Sequence, residues 1–210
     1  MNLTKLEIEL QKRLKYPYIW GTRQNDYYNG LTRFIYQIQD FDLLVAGIKK
    51  SFLGQKDYDA FFNYALNRWY NFWSAKAVEQ IFCECPGVKS ALDPKDRLVD
   101  FSIDGISFDH KTSVYPKGYG FPLEEAQSNK GALIEWLYEN QSQEQRHHFK
   151  NRLFIVLYDQ SGEHWKLKSN LSLLKSKIQE YIKNFDKQAL LKFTFDENEV
   201  TLSDIIWIIQ

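Results

Sequence analysis

The feature that most restricts the fold is a pair of alternating runs around Asp104-Gly105. Residues 98–103 and 106–112 each alternate apolar with polar side chains, the period of a strand with one buried face. The dipeptide between them suits a type I′ turn, in which both central residues take positive φ. A two-residue turn sets the register of the hairpin it closes. Ile103 then faces Ile106, and counting outward puts Asp100 directly opposite Asp109. The alternation places Asp100, Ser102, Ser107, Asp109 and Lys111 on one face, and Val99, Phe101, Ile103, Ile106 and Phe108 on the other. One face belongs to a core and the other carries charge.

Helical spacing dominates upstream of this hairpin. Residues 3–14 read as a helix, Tyr16-Pro17 and Gly21 interrupt the pattern, and Tyr27, Leu31, Phe34, Ile35 and Ile38 then recur at helical intervals. Asp40 is placed to cap a short helix through Ile48. The strongest helical pattern covers 58–82, where Phe61, Ala65, Trp69, Phe72 and Trp73 mark a broad stripe before Pro86-Gly87 stops it. Downstream, a loop with Pro116, Gly118, Gly120 and Pro122 leads into a helix from about Glu124 or Asn129 to His147. The run 152–158, RLFIVLY, suits a strand buried on both faces. Residues 167–185 read as a helix, and 191–195 and 205–209 as strands. With 210 residues, 44% of them hydrophobic, the chain can bury one sizeable core. The predicted fold is α/β: a mixed central sheet flanked by helices over 56–210, with an all-helical N-terminal extension over 1–55.

Charge and composition narrow the functions open to such a fold. Lysine plus arginine and aspartate plus glutamate each total 27, so no bulk basic field holds nucleic acid or an anionic membrane, and any such contact must come from a local patch. No apolar run approaches the roughly 18 to 20 residues of a membrane helix. Lys5, Glu7, Glu9, Lys12 and Arg13 occupy the stretch where a secretory leader would be apolar. A cytoplasmic protein without a membrane partner is expected. Cys83 and Cys85 are too close to close a useful disulfide loop and too few for a four-thiolate zinc site. The chain carries no Walker A sequence, no Gly-x-Gly-x-x-Gly and no Gly-x-Ser-x-Gly.

The charged face of the hairpin is where chemistry is expected. Directly opposed residues in an antiparallel pair have Cβ atoms about 4.5 to 5.5 Å apart, and like charges there repel. A divalent cation between Asp100 and Asp109 would neutralise them: Mg²⁺, or Mn²⁺ in its place, binds carboxylate oxygens at about 2.0 to 2.1 Å and keeps several waters. Lys111, two residues past Asp109, points the same way and is placed to orient a water or steady charge on a phosphate. The bland alternative is the solvated face of an ordinary hairpin, with Lys111 only balancing charge.

Asp100 followed by Asp109-His110-Lys111 on the next strand resembles the PD-(D/E)xK, or restriction-endonuclease-like, nuclease superfamily. The resemblance covers 73–159 in its element order of helix, hairpin, helix, strand. Asp109 stands where glutamate is commoner, and Val99 rather than proline precedes Asp100. Asp93-Pro94-Lys95 is the other acid-x-Lys triplet, but it falls in a turn-like stretch with no aspartate across from it. The resemblance implies Mg²⁺-dependent hydrolysis of DNA, with Asp100 and Asp109 as metal ligands and Lys111 beside the attacking water. It also implies an auxiliary ligand on the preceding helix, where Glu79 interrupts an apolar stripe; Glu84 and Asp96 are rivals for that part.

The same resemblance makes the N-terminal helices an elaboration for substrate selection or for a homodimer contact. Lys117 and Tyr119, in the Gly/Pro loop after Lys111, are placed to touch nucleic acid, and so by resemblance is Gln127. Arg146 lies in the densest basic stretch, with His147, His148, Lys150 and Arg152, where cations either cap a helix or contact phosphate. His110 falls on the apolar side of the hairpin and reads as a core-edge histidine. A non-catalytic nucleic-acid-binding or protein-interaction module on the same fold is the alternative that the neutral charge favours.

Overall fold

The computed structural model describes residues 1–54, 56–93, 98–140, 150–196 and 199–210. It divides into two compact units, Met1–Val78 with Trp165–Ser172, and Glu79–His164 with Leu173–Gln210.

Every regular element among the first unit's described residues is a helix. Its helices are α1 (Leu3–Lys12), α2 (Asp26–Leu31), α3 (Phe41–Phe52) and most of α4 (Tyr58–Cys83). Short polar side chains start the first three: Asn2, Asn25 and Asp40 accept from the backbone N–H of Lys5, Tyr28 and Leu43, satisfying donors a helix leaves free. The single helix expected over 27–38 breaks after α2 into a 3₁₀ turn, Arg33–Gln37. Aromatic rings pack the unit's interior: Trp69 is fully buried, its ring 5.5 Å from that of Phe41, and Phe52 stacks on Phe61 at 4.6 Å. Arg13 is fully buried as well. Its guanidinium donates to the carbonyls of Tyr16 and Pro17 and to Asn67 Oδ1, and lies over the rings of Tyr18 and Trp165. The unit boundary therefore falls inside α4 rather than at residue 55, because Phe61, Tyr64 and Trp69 pack with the N-terminal helices.

The second unit holds a six-stranded mixed sheet: β1 (Val88–Ser90), β2 (Phe101–Ile103), β3 (Ile106–Val114), β4 (Arg152–Tyr158), β5 (Leu191–Asp196) and β6 (Glu199–Ile209), in spatial order β1-β2-β3-β4-β6-β5. Strands β1 to β3 form an antiparallel meander. Strand β4 runs parallel to both β3 and β6, and β5 returns antiparallel to β6. Helices α5 (Leu123–Ser128) and α6 (Lys130–Asn140) lie between β3 and β4 in the chain, and α7 (Leu171–Lys183) precedes β5. On one face of the sheet, Leu133, Leu137 and Tyr138 of α6 pack on Phe154, Val156, Phe193 and Ile205. On the other, Phe82 stacks on Phe101 at 4.3 Å and Phe185, just past α7, meets Phe108 edge-on. Leu153 to Leu157 are all fully buried, which is why 152–158 reads as one unbroken apolar run: helices cover it on both faces. Each such side chain removed from water contributes on the order of 1.5 to 3 kcal/mol.

The hairpin forms where its sequence places it. Ile103 pairs with Ile106, Ser102 with Ser107 and Phe101 with Phe108, and Asp104 and Gly105 take φ of 48° and 81°. Phe101, Ile103 and Phe108 are buried and Ile106, at the tip, is half-buried. Two features differ from the sequence reading. Strand β2 is short, since pairing stops at Phe101, and β1 is an added edge strand whose three residues are too few to show a period. Arg146, Asp96 and the Asp93-Pro94-Lys95 triplet beyond Asp93 lie outside the described residues. Among the described residues no helix is long and apolar enough to cross a membrane.

A Cβ at Gly105 would meet nothing within 4 Å, so Gly105→Ala isolates the backbone cost of positive φ, roughly 1 to 2 kcal/mol. Urea melts should show that loss in midpoint with an unchanged slope.

Candidate functional site

Parallel pairing of β3 with β4 builds the charged site. It sets Asp109 beside Arg152 and Lys111 beside Phe154. All four lie on the face that α6 covers, since residues two apart on a strand share a face and Phe154 packs under Tyr138. Arg152 Nε and Nη2 both donate to Asp109 Oδ2, at 2.7 and 2.6 Å. The guanidinium also lies over the rings of Tyr138 and Phe154, 5.3 and 5.7 Å from their centroids. Only 17% of the Arg152 side chain and 20% of that of Asp109 are exposed.

Asp100 reaches the site by a local irregularity. Its backbone N–H donates to the carbonyl of Phe108, the residue already paired with Phe101. Two residues of one strand thus stand against one of the other, as in a β-bulge, which re-aims the side chain of the extra residue. The Asp100 carboxylate turns toward His110: Oδ2 accepts from the His110 backbone N–H at 2.8 Å and lies 2.6 Å from Nδ1. The His110 ring sits on the apolar side, as its place in the alternation implies, against Phe101 and Phe82. What the sequence did not reveal is that Asp100 bends to meet it.

The two aspartates respond in opposite directions. Burial pushes the Asp100 carboxyl up, but the hydrogen bonds and charge of His110 outweigh it, and its pKa ends below the ordinary aspartate value. Burial also raises Asp109, Arg152 opposes this, and the neighbouring Asp100 charge adds to the rise, so Asp109 ends above the ordinary value. Each carboxyl still feels the other's charge, but the bulge takes Asp100 out of the direct opposition to Asp109 that the register implies and turns it to His110 instead of to the face of Asp109 and Lys111. Lys111 is exposed, yet its ammonium is pushed down, chiefly by the surrounding protein and then by the Arg152 charge.

Hard carboxylate oxygens suit Mg²⁺ or Mn²⁺, and two carboxylates completed by waters make a sufficient donor set. Among the described residues no three His, Cys, Asp or Glu side chains converge to hold a cation. Glu79 is half-buried on α4. The loop residues separate. Tyr119 does not present its ring to a ligand. It is 8% exposed and packs edge-on against Phe121 and Trp136, because the loop folds so closely on α6 that a Cβ on Gly118 would stand 3.2 Å from Trp136. Lys117 and Gln127 are exposed. The sequence reading named Arg152 only within a basic stretch and His110 only as a core-edge histidine; the pairing of Arg152 with Asp109 comes from a parallel register between distant strands, which leaves no mark in either one. No protein-family model matches the chain, and no curated protein or solved structure matches it significantly.

The pKa directions give a signed expectation. Because folding raises the Asp109 pKa, the ionised carboxylate opposes folding, and this penalty is present above the folded pKa and absent below the ordinary 3.8. In metal-free buffer the stability of Asp109→Asn relative to the wild type should therefore fall as the pH drops from 7 toward 3.5, whatever the loss of the Arg152 ion pair adds at every pH. A difference in melting temperature that stays constant across that range would contradict the charge explanation.

Proposed function

We propose that the chain is a divalent-cation-dependent phosphodiesterase that cuts DNA. The observation that carries this reading is the pairing of two neighbouring, half-buried carboxylates, Asp100 and Asp109, with an exposed lysine, Lys111, one strand repeat away on the Asp109 face. The order of α4, hairpin, α5 and α6, then β4 is the order that the resemblance to PD-(D/E)xK nucleases calls for, and DNA as the substrate comes from that resemblance.

In this reading Asp100 and Asp109 hold Mg²⁺ or Mn²⁺, with waters in place of a third protein ligand. The bound cation supplies positive charge at the phosphate oxygens and makes water a better nucleophile near neutral pH. His110 keeps Asp100 oriented through the backbone and ring contacts already described. Lys111, which makes no hydrogen bond or ion pair among the described residues, orients the attacking water or balances charge building on the phosphate. Lys117 and Gln127 remain the exposed candidates for contacts along the strand.

One observation favours the second reading, a binding module without catalysis: Asp109 already has a cationic partner in Arg152, and Asp100 is already hydrogen-bonded to His110. Digestion decides between the two. With Mg²⁺ or Mn²⁺, plasmid or single-stranded DNA should be cut, and Asp109→Ala and Lys111→Ala should each lower the rate by on the order of 10²-fold or more. The Asp109 change should also remove stabilisation by Mn²⁺ in thermal melts, whereas the Lys111 change should keep it. No cleavage of any nucleic acid, with melting indifferent to cations, would leave the binding module.

A further inference from the structure

The Arg152–Asp109 pair sits badly with a cation on Asp109. Both donors of Arg152 use the same oxygen, Oδ2, and a divalent cation needs carboxylate oxygen at about 2.0 to 2.1 Å. When a divalent cation takes Asp109 and Asp100, through either oxygen of each, its two positive charges answer the two carboxylates, and the Arg152 charge is left without a counter-charge where its side chain is only 17% exposed. An uncompensated charge there is costly. Arg152 is not free to swing into solvent either, because the rings of Tyr138 and Phe154 hold the guanidinium plane where it is, and the backbone is fixed within β4 by pairing on both sides.

We propose that Arg152 is the phosphate-binding residue of this site and that it exchanges partners: it holds Asp109 in the cation-free protein and a substrate phosphate once a divalent cation occupies Asp109. The inference rests on the reading of Asp109 as a cation ligand. A guanidinium presents parallel donors that match two phosphate oxygens as well as they match a carboxylate. Lys111 adds a second positive charge on the same face, near enough to feel that of Arg152. With Asp109 engaged by the cation, these two cations are left to an anion. Cation and phosphate binding are then linked, and each must tighten the other by the same factor.

The test is calorimetric titration of Mn²⁺ into the whole chain, with and without thymidine 5′-monophosphate, which carries a phosphate but no diester to cut. In the wild type the nucleotide should tighten Mn²⁺ binding by roughly fivefold or more. Arg152→Ala, its fold checked by circular dichroism, should bind Mn²⁺ alone as tightly or more tightly, since a competitor for Asp109 is gone, and should show no effect of the nucleotide. Arg152→Lys, which keeps a charge but loses the paired donors, should show a reduced effect, and it serves if the alanine variant fails to fold. Equal Mn²⁺ affinity with and without nucleotide in the wild type, or weakened Mn²⁺ binding in a folded Arg152→Ala, would overturn the exchange while leaving Asp109 as a ligand. A wild type that binds no Mn²⁺ under either condition would overturn the cation site itself, and the exchange with it.

Discussion

Two carboxylates cannot share a half-buried strand end unless positive charge stands beside them, because removing an unpaired charge from water costs several kcal/mol even after relaxation. Asp100 and Asp109 meet that constraint in different ways. Asp100 draws on its own hairpin, through the backbone and ring of His110. Asp109 draws on a strand more than forty residues away, through Arg152. The second solution makes the site depend on the parallel register of β3 and β4: a one-residue slip would turn Arg152 to the opposite face and leave Asp109 without its partner.

That register is pinned by one side chain. Asn151, immediately before β4, donates from Nδ2 to the carbonyl of Ser107 and accepts at Oδ1 from the N–H of Leu202, while its own carbonyl accepts from Asp109 N–H. Ser203 adds a bond from its hydroxyl to the Arg152 carbonyl. Three strands are thereby tied together at the end where the charged residues sit. A site that must place charges to within a fraction of an ångström gains from such a support, and the rings of Tyr138 and Phe154 extend it to the guanidinium itself.

The helical unit is organised around a different buried charge. Arg13 turns three acceptors and two aromatic faces inward, so the turn after α1, the middle of α4 and Trp165 are gathered about one guanidinium. This explains why Trp165–Ser172 belongs with the N-terminal helices although it lies far along the chain.

Local chemistry made the hairpin legible in the sequence. Two residues that both need positive φ, flanked by period-two runs, leave one turn and one register, and the pairing of Ile103 with Ile106 follows from them. The cap at Asp40, the long α4 and the doubly covered β4 are legible for the same reason, since each is written in adjacent residues. The neighbourhood of Asp100 and Asp109 was therefore visible, but the way Asp100 turns to His110 was not, because a bulge depends on how backbone hydrogen bonds are shared rather than on side-chain pattern. Tyr119 was misread because aromatic residues in a Gly/Pro loop look alike whether they face solvent or a helix, and only the close approach of Gly118 to Trp136 decides. Arg152 shows the limit most clearly. Its sequence context marks it as the first residue of a buried strand, and its chemistry comes from the neighbour that parallel pairing selects. The sequence by itself determined the turn and the periods of the hairpin; the tertiary structure alone decided that Arg152 answers Asp109, because that choice is made between strands that share no local signal.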